Sequence, residues 1–235
     1  MIDEAVILAG GLGTRLRSVV KDVPKPMADI NGKPFLEYIF RYLEHYGIKK
    51  VILAIGYKAD IVKNYFGKKF NNLSIIYSEE KELLGTGGAI KQAVKLSEGD
   101  NLFVLNGDTF FDVDLRKAYE FHKNKKSILT IMLKQMVNVD RYGIIEIDSS
   151  CRIKKFSEKY KKNSGYINGG IYLLNKKFLL SLDLPEKFSF EKDFLEKNYK
   201  LYNFYGLVFD SYFIDIGVPE DYEKAKKDFK RFKYW

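Results

Sequence analysis

Cysteine occurs once in the 235 residues, as Cys151, so no internal disulfide can form. No histidine stands near it, which leaves it without the setting of an activated thiolate and points to a bystander. Long hydrophobic runs are also missing. Ala5–Ala9, Val51–Ile55 and Gly170–Leu174 are strand-sized, well short of the roughly 20 residues that span a bilayer, so no transmembrane segment is expected. The start, Met1-Ile2-Asp3-Glu4, lacks a basic region and a small-residue cleavage site, so the reading is cytoplasmic. No Pro/Gly/Ser-rich linker and no fixed-period repeat interrupts the chain. Concentrated positive charge is absent too. The formal charge of +9 is spread through short pairs such as Lys68-Lys69, Lys125-Lys126 and Lys176-Lys177. Nucleic acid is therefore not expected as a partner, whereas small phosphorylated substrates remain.

What is present is an alternation of β-rich and helical stretches. Strands are expected at Ala5–Ala9, Val51–Ile55, Leu73–Tyr77 and Leu102–Asn106. Helices are expected over Pro34–Tyr46, Thr86–Leu96 and Asp114–His122, the last with Asp114 as its N-cap. That order is the pattern of βαβ units and a covered, mostly parallel sheet. Beyond about residue 127 strand-like segments follow one another with less helix, and Pro219–Trp235 reads as a final helix packed on the body. The expectation is a single α/β domain over residues 1–235, with a nucleotide-binding half to about residue 125 and a substrate-binding half from about 126.

Directly after the first strand come Leu8-Ala9-Gly10-Gly11-Leu12-Gly13-Thr14-Arg15-Leu16 and then Pro24-Lys25-Pro26-Met27. Closely spaced glycines let backbone N–H groups approach a phosphate chain. The loop lacks the third glycine and immediate helix of a dinucleotide-binding fingerprint, and it lacks the Gly-Lys-Ser/Thr of a P-loop. Two cations frame it. Arg15 can fork onto phosphate oxygens, and Lys25 is held between two φ-restricted prolines. Fixed cations and a metal are the natural catalysts where charge builds on phosphate oxygens and a departing pyrophosphate.

With these residues the chain resembles the sugar-1-phosphate nucleotidylyltransferases, the sugar-nucleotide pyrophosphorylases. The resemblance implies a Rossmann-like three-layer αβα fold around a mostly parallel mixed sheet, with Mg²⁺ as cofactor. Arg17-Ser18-Val19-Val20 departs from the family's common Arg-Pro-Leu-Thr and is similar instead to the branch that makes GDP-D-glycero-α-D-manno-heptose. The last expected helix lies close to residue 235, so the β-helical domain of many mannose-1-phosphate guanylyltransferases is not expected, which favours the heptose branch.

Asp108 closes the apolar strand Leu102-Phe103-Val104-Leu105, at the sheet edge where ligands bind in open α/β folds. Asp215, in Phe213-Ile214-Asp215-Ile216-Gly217, is the expected second metal carboxylate, since Mg²⁺ usually takes one or two. Asp112 and Asp114 read as turn and cap residues. A carboxylate can accept from both N1–H and the exocyclic amine of guanine. The resemblance makes Glu80 that reader, with Gly85 and Thr86 near the base and Leu8, Gly10, Gly11, Gly13 and Thr14 along the nucleotide. It further implies that Lys159 holds the sugar phosphate and Glu158 its hydroxyls, with Gly143 and Asn168 completing the sugar contacts.

The implied reaction joins GTP and a sugar 1-phosphate. The attacking phosphate oxygen is already ionised, so neither a protein nucleophile nor a general base is needed. Arg15 and Lys25 carry the catalysis, and His45 and His122 are left out. The rivals are a nucleotide-sugar-dependent glycosyltransferase, a non-catalytic nucleotide sensor, and a sister enzyme with another base or sugar, mannose 1-phosphate among them. A homodimer is compatible with the reading.

Overall fold

The computed structural model describes the chain except residues 1, 12–15, 17–19, 21, 138, 140–141, 158–163 and 235. The strands in chain order are β1 (Glu4–Leu8), β2 (Asp29–Ile30), β3 (Lys33–Pro34), β4 (Lys50–Ile55), β5 (Lys69–Phe70), β6 (Leu73–Glu79) and β7 (Asn101–Asn106). They continue as β8 (Thr109–Phe111), β9 (Leu129–Val137), β10 (Ile144–Ile147), β11 (Ile153–Ser157), β12 (Ser164–Asn175), β13 (Phe204–Phe209) and β14 (Phe213–Asp215). The helices are α1 (Phe35–His45), α2 (Ala59–Phe66), α3 (Gly85–Ala93), α4 (Leu115–Asn124), α5 (Lys176–Ser181), the single turn α6 (Glu196–Asn198) and α7 (Pro219–Asp228).

Ten strands form one mixed sheet in the order β11-β10-β12-β7-β1-β4-β6-β5, with β9 beside β12 and β13 beside β9. The stretch β7-β1-β4-β6 is parallel, as the alternating pattern of the first half requires. β12 then runs antiparallel to β7, β9 and β10. Side-chain alternation assigns the two faces. Ile7, Leu53 and Leu105 face one apolar layer with α1, α2, α4 and α7, while Val6, Ile52 and Val104 face the other with α3 and α5. Each such buried Leu, Ile or Phe contributes about 1.5–3 kcal/mol. The result is the expected three-layer arrangement, and among the described residues no helix is long and apolar enough to cross a membrane.

Local signals account for several boundaries. Asp114 caps α4 by accepting the N–H groups of Arg116 at 2.9 Å and Lys117 at 3.1 Å. Past α1, Gly47 takes φ +83°, the left-handed turn that ends helices. The expected last helix is shorter than its sequence pattern. α7 stops at Asp228, and the chain turns through Phe229–Arg231 so that Phe229 and Phe232 reach Tyr38 with ring centroids 4.8 and 4.9 Å away. The apolar stripe is buried all the same, Tyr222 and Ala225 on α7 and Phe229 and Phe232 beyond its end.

His122, on α4, is 3 % exposed. Its Nδ1 lies 2.9 Å from the Thr130 hydroxyl, and burial lowers its pKa from 6.5 to about 4. The neutral ring is favoured when folded, so its contribution is full above pH 6.5 and is lost as pH falls toward about 4. A His122→Gln variant should flatten that limb of the stability–pH curve by about 3 kcal/mol, read from urea unfolding at pH 7 and pH 4. An equally steep limb in the variant would remove His122 as its source.

Candidate active site

The carboxyl ends of β1, β6 and β7 open onto a cavity of about 520 Å³. β1 leads into Gly10 and Gly11, β6 into Glu80, and β7 into Asn106 and Asp108, all on the cavity wall. This is the edge of a parallel sheet where ligands bind. Two glycines make the approach possible. A Cβ on Gly10 would lie 2.7 Å from Glu80 Oε1 and 3.2 Å from the Gly56 nitrogen, and one on Gly107 would lie 2.6 Å from the Leu8 carbonyl oxygen.

Lys25 opens a single 3₁₀ turn, Lys25–Met27, behind the extended Pro24, and the Met27 N–H donates to the Pro24 carbonyl at 2.8 Å. The prolines thus fix where the lysine stem starts. Its Nζ donates to Asp108 Oδ2 at 3.1 Å, with only 12 % of the Lys25 side chain exposed. Asp108 in turn precedes β8, which pairs antiparallel with β14 so that Asp215 stands opposite Thr109. The Ile216 N–H donates to the Asp108 carbonyl at 3.0 Å. A two-stranded ribbon therefore holds residues 108 and 215, which are 107 positions apart in sequence, at one end. Asp108 lines the cavity; Asp215 stands beside it, its Oδ1 accepting the Gly217 N–H at 2.8 Å.

No group of three or more His, Cys, Asp or Glu side chains suited to a metal occurs among the described residues. That excludes an all-protein cage there, yet a pair of neighbouring carboxylates fits Mg²⁺, which takes its other ligands from phosphate and water. Lys25 and Asp108 together can hold an anionic chain from two sides, one directly and one through a cation.

Glu80 is half-buried at the base of this wall. Burial pushes its carboxyl up, opposed by the Leu84 N–H, which donates to Oε2 at 3.0 Å. Gly85 and Thr86 also reach the cavity, but the glycines after Leu84 serve a second purpose. A Cβ on Gly88 would lie 2.2 Å from the Glu186 carbonyl oxygen, and one on Gly87 would lie 2.2 Å from the Phe188 ring. The Gly87 N–H donates to the Phe188 carbonyl at 3.0 Å. The start of α3 is thereby capped by a segment a hundred residues later. That segment brings Lys187 and Glu191 to the cavity wall, and sequence reasoning did not single them out. The available signal was the cluster of glycines itself, which demands a close neighbour as readily as a ligand.

On the other side, β12 changes register between Asn168 and Tyr172. Gly170 takes φ +72° against the Asn106 side chain, and Gly169 lies under the Phe111 ring. The Asn168-Gly169-Gly170 bulge is therefore seated on the strand that carries Asp108. Gly143 precedes the Ile144–Ile167 rung and Asn168 follows it, so the two face each other where the ladder ends. Neither belongs to the cavity wall given above. Gly13, Thr14, Arg15, Glu158 and Lys159 lie outside the described residues. His45 is remote from the site, its ring 4.9 Å from that of Tyr234.

Residues 4–231 match the model of the nucleotidyl transferase family. The D-glycero-alpha-D-manno-heptose 1-phosphate guanylyltransferase of Aneurinibacillus thermoaerophilus is 52% identical over 229 residues, covering 97% of this chain and 99% of that protein. The enzyme of that name from Campylobacter jejuni subsp. jejuni serotype O:2 is 54% identical over 219 residues, 93% of this chain and 96% of that one. Among solved structures, HddC from Yersinia pseudotuberculosis complexed with GMP-PN superposes with a TM-score of 0.85 at 43% identity, covering 97% of this chain and 100% of that chain. A glycine loop under a parallel sheet edge, an anchored lysine–aspartate pair and similarity along nearly the whole sequence agree, and the chain belongs to the nucleotidyl transferase family.

Proposed function

We propose that the chain transfers GMP from GTP to D-glycero-α-D-manno-heptose 1-phosphate, giving the GDP-heptose and pyrophosphate. The heptose phosphate oxygen forms a bond to the α-phosphorus as the bond from that phosphorus to the β-phosphate bridge breaks. The electron pair leaves with pyrophosphate. The carrying observation is the Lys25–Asp108 pair, part-buried in the wall of a cavity beside Gly10, Gly11 and Glu80. Choice of base and sugar is supported by the relatives above, which bear the heptose guanylyltransferase name over nearly their full length.

In this reading Leu8, Gly10, Gly11, Gly13 and Thr14 follow the nucleotide with their backbone, and Lys25 and Arg15 steady its phosphates. Asp108 and Asp215 would hold Mg²⁺, which when bound neutralises charge on the phosphates and the leaving pyrophosphate. Gly85 and Thr86 border the base; Gly143, Glu158, Lys159 and Asn168 serve the sugar phosphate. The two halves, to about residue 125 and from about 126, make one domain working in the cytoplasm for surface polysaccharide biosynthesis. Wild type offered four nucleoside triphosphates against heptose, mannose and glucose 1-phosphates should release pyrophosphate fastest with GTP and the heptose. Preference for another base or for mannose would replace the proposed pair of substrates.

Glu80 is assigned to guanine because its Oε1 faces the loop at Gly10 while Oε2 holds the Leu84 turn. Gln at this position keeps the turn but offers an amine to a guanine donor. Glu80→Gln should therefore cut the kcat/KM preference for GTP over UTP by about 10–100-fold. An unaltered ratio would release Glu80 from the role.

A further inference from the structure

Glu80 serves only the donor half of a guanine. A carboxylate accepts, so it can meet N1–H and the exocyclic amine, while O6 and N7 on the adjoining edge are acceptors and call for donors. The wall next to Glu80 consists of Leu83, Gly85, Thr86 and Lys187. Leu83, 48 % exposed, offers an apolar surface to a flat ring there. The Thr86 hydroxyl is already engaged, donating to Glu191 Oε2 at 2.8 Å and accepting the Phe190 N–H at 2.9 Å. Lys187 is the side-chain donor that remains on this stretch.

The backbone under Lys187 is fixed from both sides. The Phe188 N–H donates to the Leu84 carbonyl at 3.0 Å, and the Leu84 N–H donates to Glu80 Oε2 at 3.0 Å, so a single residue registers the acid against the segment that bears the lysine. On the other side Lys91 of α3 donates to the Leu184 carbonyl at 2.6 Å. The Lys187 ammonium forms no ion pair with a described residue, although Glu80 and Glu191 stand on the same wall. Close by, the Lys63 ammonium is spent on Glu79 at 2.5 Å. The phosphate end of the cavity is separate ground, with Gly10, Gly11, Lys25 and Asp108.

We propose that Lys187 is a specificity-determining residue for the base: its ammonium donates to N7 and O6 of guanine while Glu80 accepts from N1–H and the amine. A lysine is suited to that pair of acceptors, which lie side by side on the ring. Adenine keeps N7 but carries an amine in place of O6, so the ammonium would face a donor. The inference rests on the proposed function only in taking GTP as the nucleotide, and the identity of the sugar does not enter it.

The test pairs a variant with an altered nucleotide. Lys187→Met keeps the apolar stem and removes the charge, and 7-deaza-GTP carries a C–H where guanine has N7. Binding of GTP and of 7-deaza-GTP is measured by calorimetry with Mg²⁺ and without sugar 1-phosphate, on protein whose thermal denaturation matches wild type. Wild type should bind 7-deaza-GTP about tenfold more weakly than GTP. Lys187→Met should lose about tenfold in affinity for GTP and should bind the two nucleotides alike, because the atom and its donor form one contact. An unchanged affinity for GTP in the variant would overturn the assignment. So would a loss of one size for both nucleotides, which is the result expected of a cation on the phosphates, and so would equal binding of the two by wild type. A wild type that favours another base sinks the proposed nucleotide and this inference together, and does so before any variant is made. A wild type that selects GTP but a different sugar 1-phosphate corrects the proposed function and leaves Lys187 in its role.

Discussion

Asp108→Asn is expected to lower kcat by about 10³-fold while the protein stays folded. The substitution preserves shape and the backbone contacts of the residue, including the Ile216 N–H bond to its carbonyl. What disappears is one negative charge, the charge that anchors Lys25 at 3.1 Å and that would hold a divalent ion against the phosphates. Asp215→Asn should behave alike, because an asparagine oxygen can still accept the Gly217 N–H. Pyrophosphate release titrated with Mg²⁺ checks both. Activity should be partly recovered at higher metal in the variants if weakened metal binding is the cause. A loss below tenfold for Asp108→Asn, with an unchanged metal midpoint, would remove the carboxylate from the centre of the reaction.

The second large effect concerns stability. Gly88→Ala puts a methyl group 2.2 Å from a backbone oxygen, Glu186 O, and 2.7 Å from Leu84 Cβ. Neither neighbour is the free end of a flexible side chain, so α3 and the segment at 186–188 must separate. A cost of about 1–3 kcal/mol follows, and a Tm lower by roughly 2–10 °C. Turnover should fall with it, since that segment carries Glu191 to Thr86. Gly11→Ala is the matching control for stability: its added Cβ would meet nothing within 4 Å, and its Tm should stay put. If Gly88→Ala melts with the wild type, the close packing described for this helix start is not what holds the segment.

Much of this architecture was legible because it repeats. Continuous apolar runs at Val51–Ile55 and Leu102–Leu105 are buried on both faces, and α1 carries its stripe at helical spacing. The loop at Gly10 and the Asn106-Gly107-Asp108 corner were recognisable since both lie at strand ends where backbone must pass close to backbone. Other parts depend on partners distant in sequence. α2 begins after Lys58 in a left-handed conformation with no side-chain cap, so no local residue announces it. Lys187 and Glu191 acquire meaning only when residues 186–191 fold over Gly85–Gly88, a contact that neither stretch encodes alone. The tail followed its helical pattern as far as Asp228, after which aromatic packing on α1 prevailed over propensity.

The ribbon of β8 and β14 has two ends, and the far one is also tethered. Asp112 accepts from the Tyr234 hydroxyl at 2.5 Å and from the Lys233 ammonium at 2.6 Å, while its N–H donates to the Tyr212 carbonyl at 2.9 Å. Residues 233 and 234 thus buttress the strand pair that terminates in the acidic couple. Loosening that buttress, from the opposite side of the molecule and without touching any residue of the cavity wall, would let the two acids splay and so weaken the metal grip proposed for them.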